Sequence, residues 1–337
     1  MAATLHDVAR MAQVSIKTVS NVINERPNVG SATRAKVEAA IAELGYTPNL
    51  TARGLRSGRK GAITLAVPDL ALSYFAELAA EVIAAAEAAG VVVLVEQTGG
   101  DRERELALLK SPRLNMTDGL IFSPLGMGQE DVGALEVSYP LVILGERIFE
   151  GPADHVTMQN VAAARAATEY LLDSGRRRIA VVGAHEGEVV GSAGLRLSGY
   201  REALAAAGIE YEPNLIAHSG LWHRANGATC MRELLARGVD FDAVFGLNDT
   251  LALGAMRVLQ EAGISVPADV AVMGFDDLEE TPYSIPSLTT VDPGRGWIAR
   301  TAVKTLLQRI NDAGSGGPAE TRLAEFEIRR RESTAAA

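Results

Sequence analysis

Residues 4–24 read TLHDVARMAQVSIKTVSNVIN, and this stretch predicts two short helices joined by a tight turn. Thr4 can cap the first helix, with Asp7 at the acidic third position of a capping box. Ser15 can cap the second helix by accepting a hydrogen bond from an otherwise unpaired backbone amide. Apolar residues recur at helical spacing in the first helix, at Leu5, Val8, Ala9 and Ala12.

The second helix separates its residues by face. Val19, Val22 and Ile23 fall on an apolar side. A second stripe, mostly polar and free of acids, consists of Ile16, Lys17, Ser20, Asn21 and Asn24. In a major groove Lys donates to guanine and Asn pairs with adenine, so this face suits the recognition helix of a helix-turn-helix. A small surface hairpin is the plainer interpretation. Periodicity alone favours the hairpin, and the flanking sequence reverses that preference.

A third helix is predicted from about residue 31 to residue 44, after a polar loop that contains Pro27 and Gly30. Its inward stripe consists of Val37, Ala40, Ile41 and Leu44. Gly45 is placed to end the helix in a left-handed cap. Three helices in about 45 residues predict a minimal core behind the polar face of the second helix.

A basic segment follows, in which Pro48 stops any preceding helix and Asn49 can cap a new one. Residues 49–60 are too short and too rich in Gly and Arg to be helical alone. They predict either a flexible linker or a hinge that becomes helical on DNA. In the second case Leu55 would act as an apolar wedge at a base step, with Arg53 and Arg56 near phosphates.

Charge is distributed unevenly along the 337 residues, whose net charge is −10. Residues 1–60 hold nine Lys/Arg and four acids, whereas the remainder holds 23 basic and 38 acidic residues. A basic head on an acidic body is typical of a DNA-binding module joined to another domain. Cys230 is the only cysteine, which excludes an intrachain disulfide. Neither a secretory signal nor an apolar run of membrane-spanning length is present, so we expect a soluble cytoplasmic protein.

Four blocks, TLHDVARMAQVS, KTVSNVIN, TRAKVEAAIAELGYTPN and ARGL, follow one another over residues 4–55. With these blocks, residues 4–60 resemble the N-terminal headpiece of the lac repressor/galactose repressor (LacI/GalR) family of transcription regulators. The resemblance implies that Ile16, Lys17 and Asn21 read bases and that Leu55 is the minor-groove wedge. It also implies phosphate contacts at Thr4, Ser15, Thr18, Asn24 and Thr33, and further DNA contacts at Ser20, Asn49, Ala52 and Arg53. Many members carry Arg where this chain has Asn21, so their operator sequences cannot be transferred to it.

From residue 61 strands and helices alternate. Buried strands are predicted at 62–67 and 91–96 and further strands at 119–123 and 141–144, with helices at 75–89, 101–110 and 130–137. A second series has strands at 178–182, 215–218, 243–247 and 270–274, with helices at 161–173, 194–207, 224–237 and 249–262. A helix at 294–310 and a strand at 324–329 would cross back between the halves. The pattern predicts an α/β body of two lobes with parallel, doubly wound sheets and a cleft at the carboxyl ends of the strands.

The body contains the phrases GERI, SGRRRIAVVG, GLRLSGYREAL, FGLNDTLALGAMRVLQEAGISVPADVAVMGFDD, PSLTTVDP and RRRES. They resemble the periplasmic-binding-protein-like core of the same family, so the resemblance covers nearly the whole chain. It implies a headpiece at 1–47, a hinge at 48–60 and an effector-binding and dimerisation body at 61–337. The N-lobe would comprise about 61–160 plus 292–322, and the C-lobe about 161–291 plus 323–333. The chain ends in RRRESTAAA, without a long tetramerisation tail, and a homodimer is expected.

Aromatic and charged residues stand where the cleft is predicted. Tyr74 and Phe75 open the first helix of the body, where they could be ordinary core residues or, by the resemblance, stack on a ligand ring. Glu146 and Arg147 follow the strand at 141–144. They could be a solvated pair, or they could clamp hydroxyls, because carboxylate and guanidinium together offer acceptors and a donor fork. Trp222 is a candidate for a second stacking wall.

The resemblance adds further effector-site candidates, which are Arg196, Asn248, Asp276 and, more weakly, Asp292. Asn248 could instead cap the helix at 249–262, and Asp276 could be a turn residue. The combined set suits a sugar or polyol, with a purine as the second choice. Two residues depart from the family pattern. Leu72 stands where sugar-binding members often carry Asn, and Gln159 stands where Asp is frequent.

No catalytic pattern is present in the sequence. The five His residues lack metal-ligand spacing, and there is no GxSxG elbow, no phosphate-binding GxxxxGK[ST] loop and no GxGxxG after a strand. We therefore expect no enzyme activity, no cofactor and no metal. A transport-type solute-binding protein and an α/β enzyme are the alternatives. The preferred prediction is a repressor that binds palindromic operator DNA and is controlled by a small ligand held between the lobes.

Overall fold

A computed structural model describes residues 3–23, 27–46, 59–312 and 317–335. By its internal contacts the chain divides into two units, Met1–Gly61 and Ala62–Ala337. The fold class is the predicted one, a helix-turn-helix headpiece and an α/β body with two mainly parallel sheets. In the part of the chain that is described, no helix is long and apolar enough to cross a membrane.

The headpiece contains the three predicted helices, α1 (Leu5–Ala12), α2 (Ile16–Ile23) and α3 (Ser31–Leu44). The capping box forms as expected, because the amide of Asp7 donates to Thr4 Oγ1 at 3.3 Å and the amide of Thr4 donates to Asp7 Oδ2 at 3.0 Å. Ser15 Oγ accepts from the amide of Thr18 at 3.1 Å at the start of α2. Gly45 ends α3 in the left-handed conformation. The local signals of the sequence therefore decide where these helices begin and end.

Three valines, one from each helix, are fully buried at the centre of the headpiece: Val8, Val19 and Val37. The surrounding buried residues are Ala9, Ala12, Val22, Ala40 and Tyr46. Ile41 and Leu44, predicted on the inward stripe of α3, are half-buried against this cluster. Such a small core uses only the inner face of α2, so Lys17 on the other face stays exposed.

The body contains two six-stranded sheets. The first consists of β1 (Ala62–Val67), β2 (Val92–Gln97), β3 (Leu120–Phe122), β4 (Leu141–Leu144), β5 (Asp154–Met158) and β11 (Thr321–Ala324). The second consists of β6 (Ile179–Ala184), β7 (Ile216–His218), β8 (Ala243–Gly246), β9 (Ala271–Phe275), β10 (Thr289–Asp292) and β12 (Glu327–Arg329). The strand orders are β11-β5-β4-β3-β1-β2 and β12-β10-β9-β8-β6-β7. Every pair is parallel except β10 with β12.

Helices cover the two sheets. They are α4 (Ser73–Ala88), α5 (Arg102–Leu109), α6 (Asn160–Asp173), α7 (Ser192–Ala206), α8 (Arg224–Ala236), α9 (Asp249–Glu261) and α10 (Arg295–Asn311). We call the first sheet with α4, α5 and α10 the N-lobe, and the second sheet with α6 to α9 the C-lobe. Because helices cover both faces, central strands such as β1 are continuous apolar runs whose residues are almost all buried.

The chain crosses between the lobes after β5, after β10 and after β11. Gln159 lies in the first crossing, and its Nε2 donates to the carbonyl of Ala324 in the third at 2.9 Å. Gly294 lies in the second crossing with φ +78°, and a Cβ there would stand 2.7 Å from the carbonyl oxygen of Glu325. The crossing segments therefore approach so closely that one of them requires glycine.

The prediction that β2 is a buried strand is wrong. Val92, Leu94 and Val95 are exposed in β2, because this strand lies at the edge of the first sheet and pairs only with β1. An apolar run identifies a strand, but its burial depends on which neighbours the sheet order supplies.

Other elements differ from the predicted pattern. The strands β5 and β10 were not predicted, because polar residues interrupt both and leave no continuous apolar run. The single strand expected at 324–329 is two strands, β11 and β12, which belong to different sheets. The helix expected at 130–137 is a 3-10 helix, Gln129–Leu135.

Glu105 of α5 is a fully buried carboxylate that holds a loop of the N-lobe. Its oxygens accept from the backbone amides of Leu125 at 2.8 Å, Gly126 at 3.0 Å and Met127 at 2.7 Å. These three amides come after the end of β3. The charge is thus satisfied by the loop, and the loop is held by the charge.

Replacing Glu105 with Ala should leave three backbone amides, one buried and two partly buried, without their partner and lower the free energy of unfolding by about 3 kcal/mol. Urea denaturation of the full chain followed by circular dichroism measures the change. Glu103→Ala on the exposed face of the same helix is the matched control and should change stability little. Equal stability of the two variants would contradict the structural role of Glu105.

Candidate effector cleft and DNA-binding helix

A cavity of about 190 Å³ lies between the two lobes, at the carboxyl ends of their strands. Eight of the nine predicted effector-site residues line it: Tyr74, Phe75, Glu146, Arg147, Arg196, Trp222, Asn248 and Asp276. Glu146, Asn248 and Asp276 reach this edge because each closely follows a parallel strand, whereas Tyr74, Phe75 and Arg196 belong to helices. Residues from distant parts of the chain therefore meet in one cleft.

Aromatic rings form two walls of the cavity. Tyr74 and Phe75 stand edge to face with centroids 5.3 Å apart, and both pack on the main core while lining the cavity. Burial and the nearby carboxylate of Asp276 raise the pKa of Tyr74, so its hydroxyl stays protonated. Trp222 donates its indole N–H to the carbonyl of Gly183 at 2.8 Å. A side chain at Gly183, where φ is +101°, would stand 3.3 Å from that indole nitrogen, so glycine lets the ring lie where it does.

Arg196 of α7 is 97% buried (3% exposed) and is held on several sides. Its Nε donates to Asn160 Oδ1 at 2.8 Å, and its Nη1 donates to the carbonyl of Leu247. The guanidinium carbon lies 3.6 Å from the centroid of the Phe275 ring. Its Nη2 is 3.6 Å from Asp276 Oδ1, so the planar cation faces a buried carboxylate across the cavity wall.

Asp276 follows β9 directly and carries a perturbed carboxyl group. Burial raises its pKa to about 7, although the charges of Arg196 and Arg295 oppose the shift. Its φ is +117°, which is a strained conformation for a residue with a side chain. Asp249, buried nearby, has a pKa raised well above its ordinary value by burial and then by the charge of Asp276. Asp276 in the cavity wall and Asp249 behind it therefore gain a proton more readily than ordinary carboxyl groups.

Asn248 serves as a helix cap and lines the cavity as well. Its Oδ1 accepts from the amide of Leu251 at 2.9 Å, as an N-cap of α9 does, and its Nδ2 donates to the carbonyl of Trp222 at 3.3 Å. The two interpretations from the sequence are therefore compatible. The amide group ties the start of α9 to the aromatic wall.

Asp292 does not line the cavity. Its carboxylate accepts from Arg329 Nη2 at 2.8 Å and from the amide of Gly294 at 2.9 Å, so it braces the second crossing between the lobes. The two residues that depart from the family pattern have different positions. Leu72 lines the cavity, whereas Gln159 bonds across the crossings.

Sequence reasoning missed a cluster on the loop after β6. Glu188 accepts from His185 Nδ1 at 2.7 Å, and Arg147 Nη1 lies 3.4 Å from the same oxygen. Arg147 Nη1 also donates to the carbonyl of Val190 at 2.8 Å, and Ser192 Oγ donates to Glu146. These contacts join the N-lobe to the C-lobe over the cavity. The position of His185, three residues after the strand predicted at 178–182, was the available signal.

Three polar atoms of cavity-lining residues have no hydrogen-bond partner within the described parts of the chain. They are Arg147 Nε, Thr157 Oγ1 and His185 Nε2. A buried polar atom without a partner is costly, and a ligand with hydroxyl groups supplies both donors and acceptors. The cavity is therefore polar at defined points and apolar between them.

The predicted DNA-binding residues of the headpiece that the structure describes lie on its helices or at their caps. Ile16, Lys17, Ser20 and Asn21 are on α2, with Lys17 exposed and the others half-buried. The hydroxyls of Ser15 and Thr18 are 2.9 Å apart, and that of Thr4 donates to Asp7 at 2.6 Å. Thr33 lies in the first turn of α3. The remaining predicted contacts, Asn24, Asn49, Ala52, Arg53 and Leu55, lie outside the described residues.

The described residues contain no group of three or more His, Cys, Asp or Glu side chains arranged to hold a metal ion. Cys230 is buried, and burial raises the pKa of its thiol. A reactive thiolate is therefore not favoured at this position.

Family models and relatives match the chain over both units. Residues 4–49 match the bacterial regulatory proteins, lacI family, and residues 168–334 match a periplasmic binding protein-like domain. The ribose operon repressor of Haemophilus influenzae is 34% identical over 92% of each chain. The regulator CelR of Thermobifida fusca is 35% identical over 91% of this chain and 92% of its own.

Solved structures agree with these matches. The lac repressor dimer bound to operator and the anti-inducer ONPF superposes with a TM-score of 0.83, at 30% identity and with 100% of both chains covered. A putative LacI-family regulator from Sanguibacter keddieii is 54% identical, with a TM-score of 0.77, and covers 83% of this chain and 100% of its own.

A helix-turn-helix headpiece joined to a two-lobed ligand-binding body defines the class of ligand-responsive DNA-binding regulators. Within that class, the chain belongs to the LacI family of bacterial regulatory proteins. It is a DNA-binding transcription regulator, and its relatives are regulators rather than enzymes, in agreement with the sequence prediction.

The raised pKa of Asp276 predicts a pH dependence of stability. The ordinary pKa of this carboxyl group is 3.8, and in the folded chain it is about 7. At pH values between these two, Asp276 holds a proton in the folded chain that it has released in the unfolded chain. The free energy of unfolding of the ligand-free protein should therefore rise by about 2 kcal/mol between pH 8 and pH 5.5.

Asp276→Asn should remove most of this rise in stability. Asp249, whose pKa is also raised, should still cause a smaller rise in that variant. Urea denaturation of wild type and variant at the two pH values measures the difference. Asp173→Asn, an exposed carboxylate at the end of α6, is the control and should leave the rise intact. A wild-type protein that is less stable at pH 5.5 than at pH 8 would contradict the assignment.

Proposed function

We propose that this regulator is a repressor whose affinity for a palindromic operator is controlled by a sugar or polyol bound between the lobes. The observation that carries the ligand class is the cavity, where aromatic walls alternate with the carboxylates of Glu146 and Asp276 and with unpartnered polar atoms. Ring faces suit the C–H faces of a sugar, and carboxylates accept from its hydroxyls.

The names of relatives support the same preference. The similar proteins include ribose operon repressors and the regulator CelR, whose structure in complex with cellobiose is 32% identical in sequence. A PurR repressor of Vibrio atlanticus, 32% identical, keeps a purine as the second candidate. Two acidic groups in the cleft favour a ligand rich in hydroxyl donors over a purine, which offers fewer.

For DNA recognition we propose the roles that the headpiece residues were given from the sequence. Ile16, Lys17 and Asn21 read base edges in the major groove. The hinge at 48–60 folds on the operator and inserts Leu55 in the minor groove. The headpiece at 1–47 and the hinge at 48–60 belong to this proposal as predicted, and the lobes are the two sheets with their helices, so that all of β11 lies in the N-lobe. A regulator that binds chromosomal DNA in this way acts in the cytoplasm.

A homodimer is proposed because apolar side chains are exposed on the N-lobe edge. Val92 is 48% exposed and Leu94 is 41% exposed on β2. An apolar edge strand left uncovered favours association with another chain, so a second copy of this chain is the proposed occupant. A two-fold dimer would hold two headpieces at the spacing of operator half-sites, in keeping with a palindrome.

Control of DNA binding then follows from the lobe angle. Ligand in the cleft bonds to both lobes and changes their angle, which gathers or spreads the starts of the paired hinges. The ligand can shift this equilibrium only by its differential affinity for the two states, and a nearly complete switch needs ~5 kcal/mol. Interlobe contacts such as Arg147 with Val190 contribute to the balance between the two arrangements before ligand binds, and the ligand's own contacts with the lobes shift that balance.

A gel-shift assay with the native upstream DNA tests both the proposed operator binding and the role of α2 in recognising the sequence. Lys17→Ala should weaken binding by about 1–3 kcal/mol, and the loss should be confined to one operator position. Lys36→Ala, which removes the same charge from an exposed site on α3, is the matched control.

Equal losses on all DNA sequences would make Lys17 a phosphate contact. Failure of the wild-type dimer to bind this DNA at low salt would refute the proposal that the upstream DNA contains its operator. Adding candidate sugars to the same assay shows whether ligand releases or strengthens binding.

Leu94→Asp should convert the dimer to a monomer, since it places a charge on the proposed interface. Sedimentation velocity measures the mass of the full chain. Leu323→Asp is the matched control, because Leu323 is 55% exposed on β11 at the opposite edge of the same sheet. A dimeric Leu94→Asp variant, or loss of the dimer in the control alone, would place the interface elsewhere.

A further inference from the structure

His185 lines the cavity and carries a buried ring nitrogen that has no partner in the described residues. It follows β6, and its Nδ1 lies 2.7 Å from Glu188 Oε2. The other ring nitrogen, Nε2, has no hydrogen-bond partner there, and the residue lines the cavity beside Trp222, with ring centroids 5.6 Å apart. The imidazole is therefore part of the wall beside which a ligand in the cleft would lie.

The carboxylate of Glu188 determines which nitrogen of the neutral His185 ring carries the proton. Burial opposes its charge, but hydrogen bonds from His185 and from the amide of Gly194, together with the charge of Arg147, hold the pKa of Glu188 below its usual value. An ionised carboxylate only accepts hydrogen bonds, so His185 Nδ1 must donate. In the neutral ring the proton is then on Nδ1, and Nε2 is left as an acceptor.

The loop geometry supports this arrangement at two glycines. A Cβ at Gly191, where φ is +125°, would collide with the guanidinium of Arg147 and the carboxylate of Glu188. A Cβ at Gly194 would stand 2.6 Å from the carbonyl oxygen of Glu188. Glycine at both positions allows the loop to fold onto the start of α7 and to bring Glu188 under the imidazole.

We propose that His185, held by Glu188 with its proton on Nδ1, accepts a hydrogen bond from one hydroxyl of the effector and thereby selects among sugars. The inference rests on the proposed function, because it assumes a hydroxyl-bearing ligand in this cleft. His185 touches the ligand, and Glu188 is a positioning residue. A sugar that lacks that hydroxyl leaves Nε2 buried and unpaired, and it should bind roughly tenfold more weakly.

Glu188 also links selection to closure of the cleft. The same carboxylate oxygen that accepts from His185 lies 3.4 Å from Arg147 Nη1 on the N-lobe. A ligand that engages His185 therefore does so beside the contact that joins the lobes. Discrimination at this hydroxyl should be transmitted to the lobe angle as well as to affinity.

The test begins with calorimetry of the wild-type full chain against D-ribose, D-glucose, D-galactose and cellobiose. The sugar that binds most tightly and its monodeoxy analogues are then titrated into wild type, His185→Phe and Glu188→Ala. His218→Phe is the matched control, because His218 is exposed and does not line the cavity.

In wild type, one monodeoxy analogue should bind roughly tenfold more weakly than the parent sugar. In His185→Phe the parent and that analogue should bind within about twofold of each other, while the ratios for the other analogues persist. Glu188→Ala should lower the same ratio and no other, a selective change that a merely structural role of Glu188 would not produce. His218→Phe should keep all ratios.

Two results would overturn the proposal, and they are distinguishable. Sugar binding with every parent-to-analogue ratio unchanged in His185→Phe would remove His185 from recognition and leave the proposed function intact. Absence of binding by all four sugars to the wild-type chain would refute the sugar effector and this inference together. Thermal unfolding of each variant confirms that the comparison is made between folded proteins.

Discussion

Arg196 and Asp276 lie buried 3.6 Å apart between the lobes, and the cleft is arranged around the need to satisfy them. Burying a charge costs several kcal/mol unless partners replace its water. Arg196 meets this need with Asn160, the carbonyl of Leu247 and the ring of Phe275. Asp276 meets it only in part, which is why its pKa rises to about 7. In the complex that we propose, ligand hydroxyls complete an environment that the protein alone leaves unfinished.

Closure of the cleft depends on a second set of polar contacts, on the loop after β6. Arg147 donates to Val190, and Ser192 donates to Glu146, so each contact joins one lobe to the other. Each such contact is modest by itself, about 1 kcal/mol net in most proteins. A sum of modest contacts suits a regulator, because the lobes must open and close within the few kcal/mol that a ligand provides.

The headpiece is stabilised differently from the body. Its core is small, with one central valine from each of three helices, and its helix ends are set by local caps. Since only the inner face of α2 contributes to the core, the residues on its outer face are not constrained by core packing. Side chains there can be chosen for DNA, which explains why a stripe without acids occurs beside a well-formed apolar stripe.

Local features of this chain were determined by the sequence itself. The capping box at Thr4, the cap at Gly45 and the alternation of apolar strands with helices depend on neighbours a few residues apart, and these predictions were confirmed. Carboxyl-end positions such as Glu146 and Asp276 were predictable too, because a parallel sheet delivers them to one edge.

Only the tertiary structure decided which residues meet across the chain. The exposure of β2 depends on the order of strands in the sheet, the bracing role of Asp292 on a partner 37 positions away, and the pairing of Arg147 with Glu188 on the approach of two lobes. The orientation of His185 likewise depends on a loop folded over the cavity. Short-range patterns do not encode such contacts, because hydrogen bonds and burial depend on distance in space and not on separation in sequence.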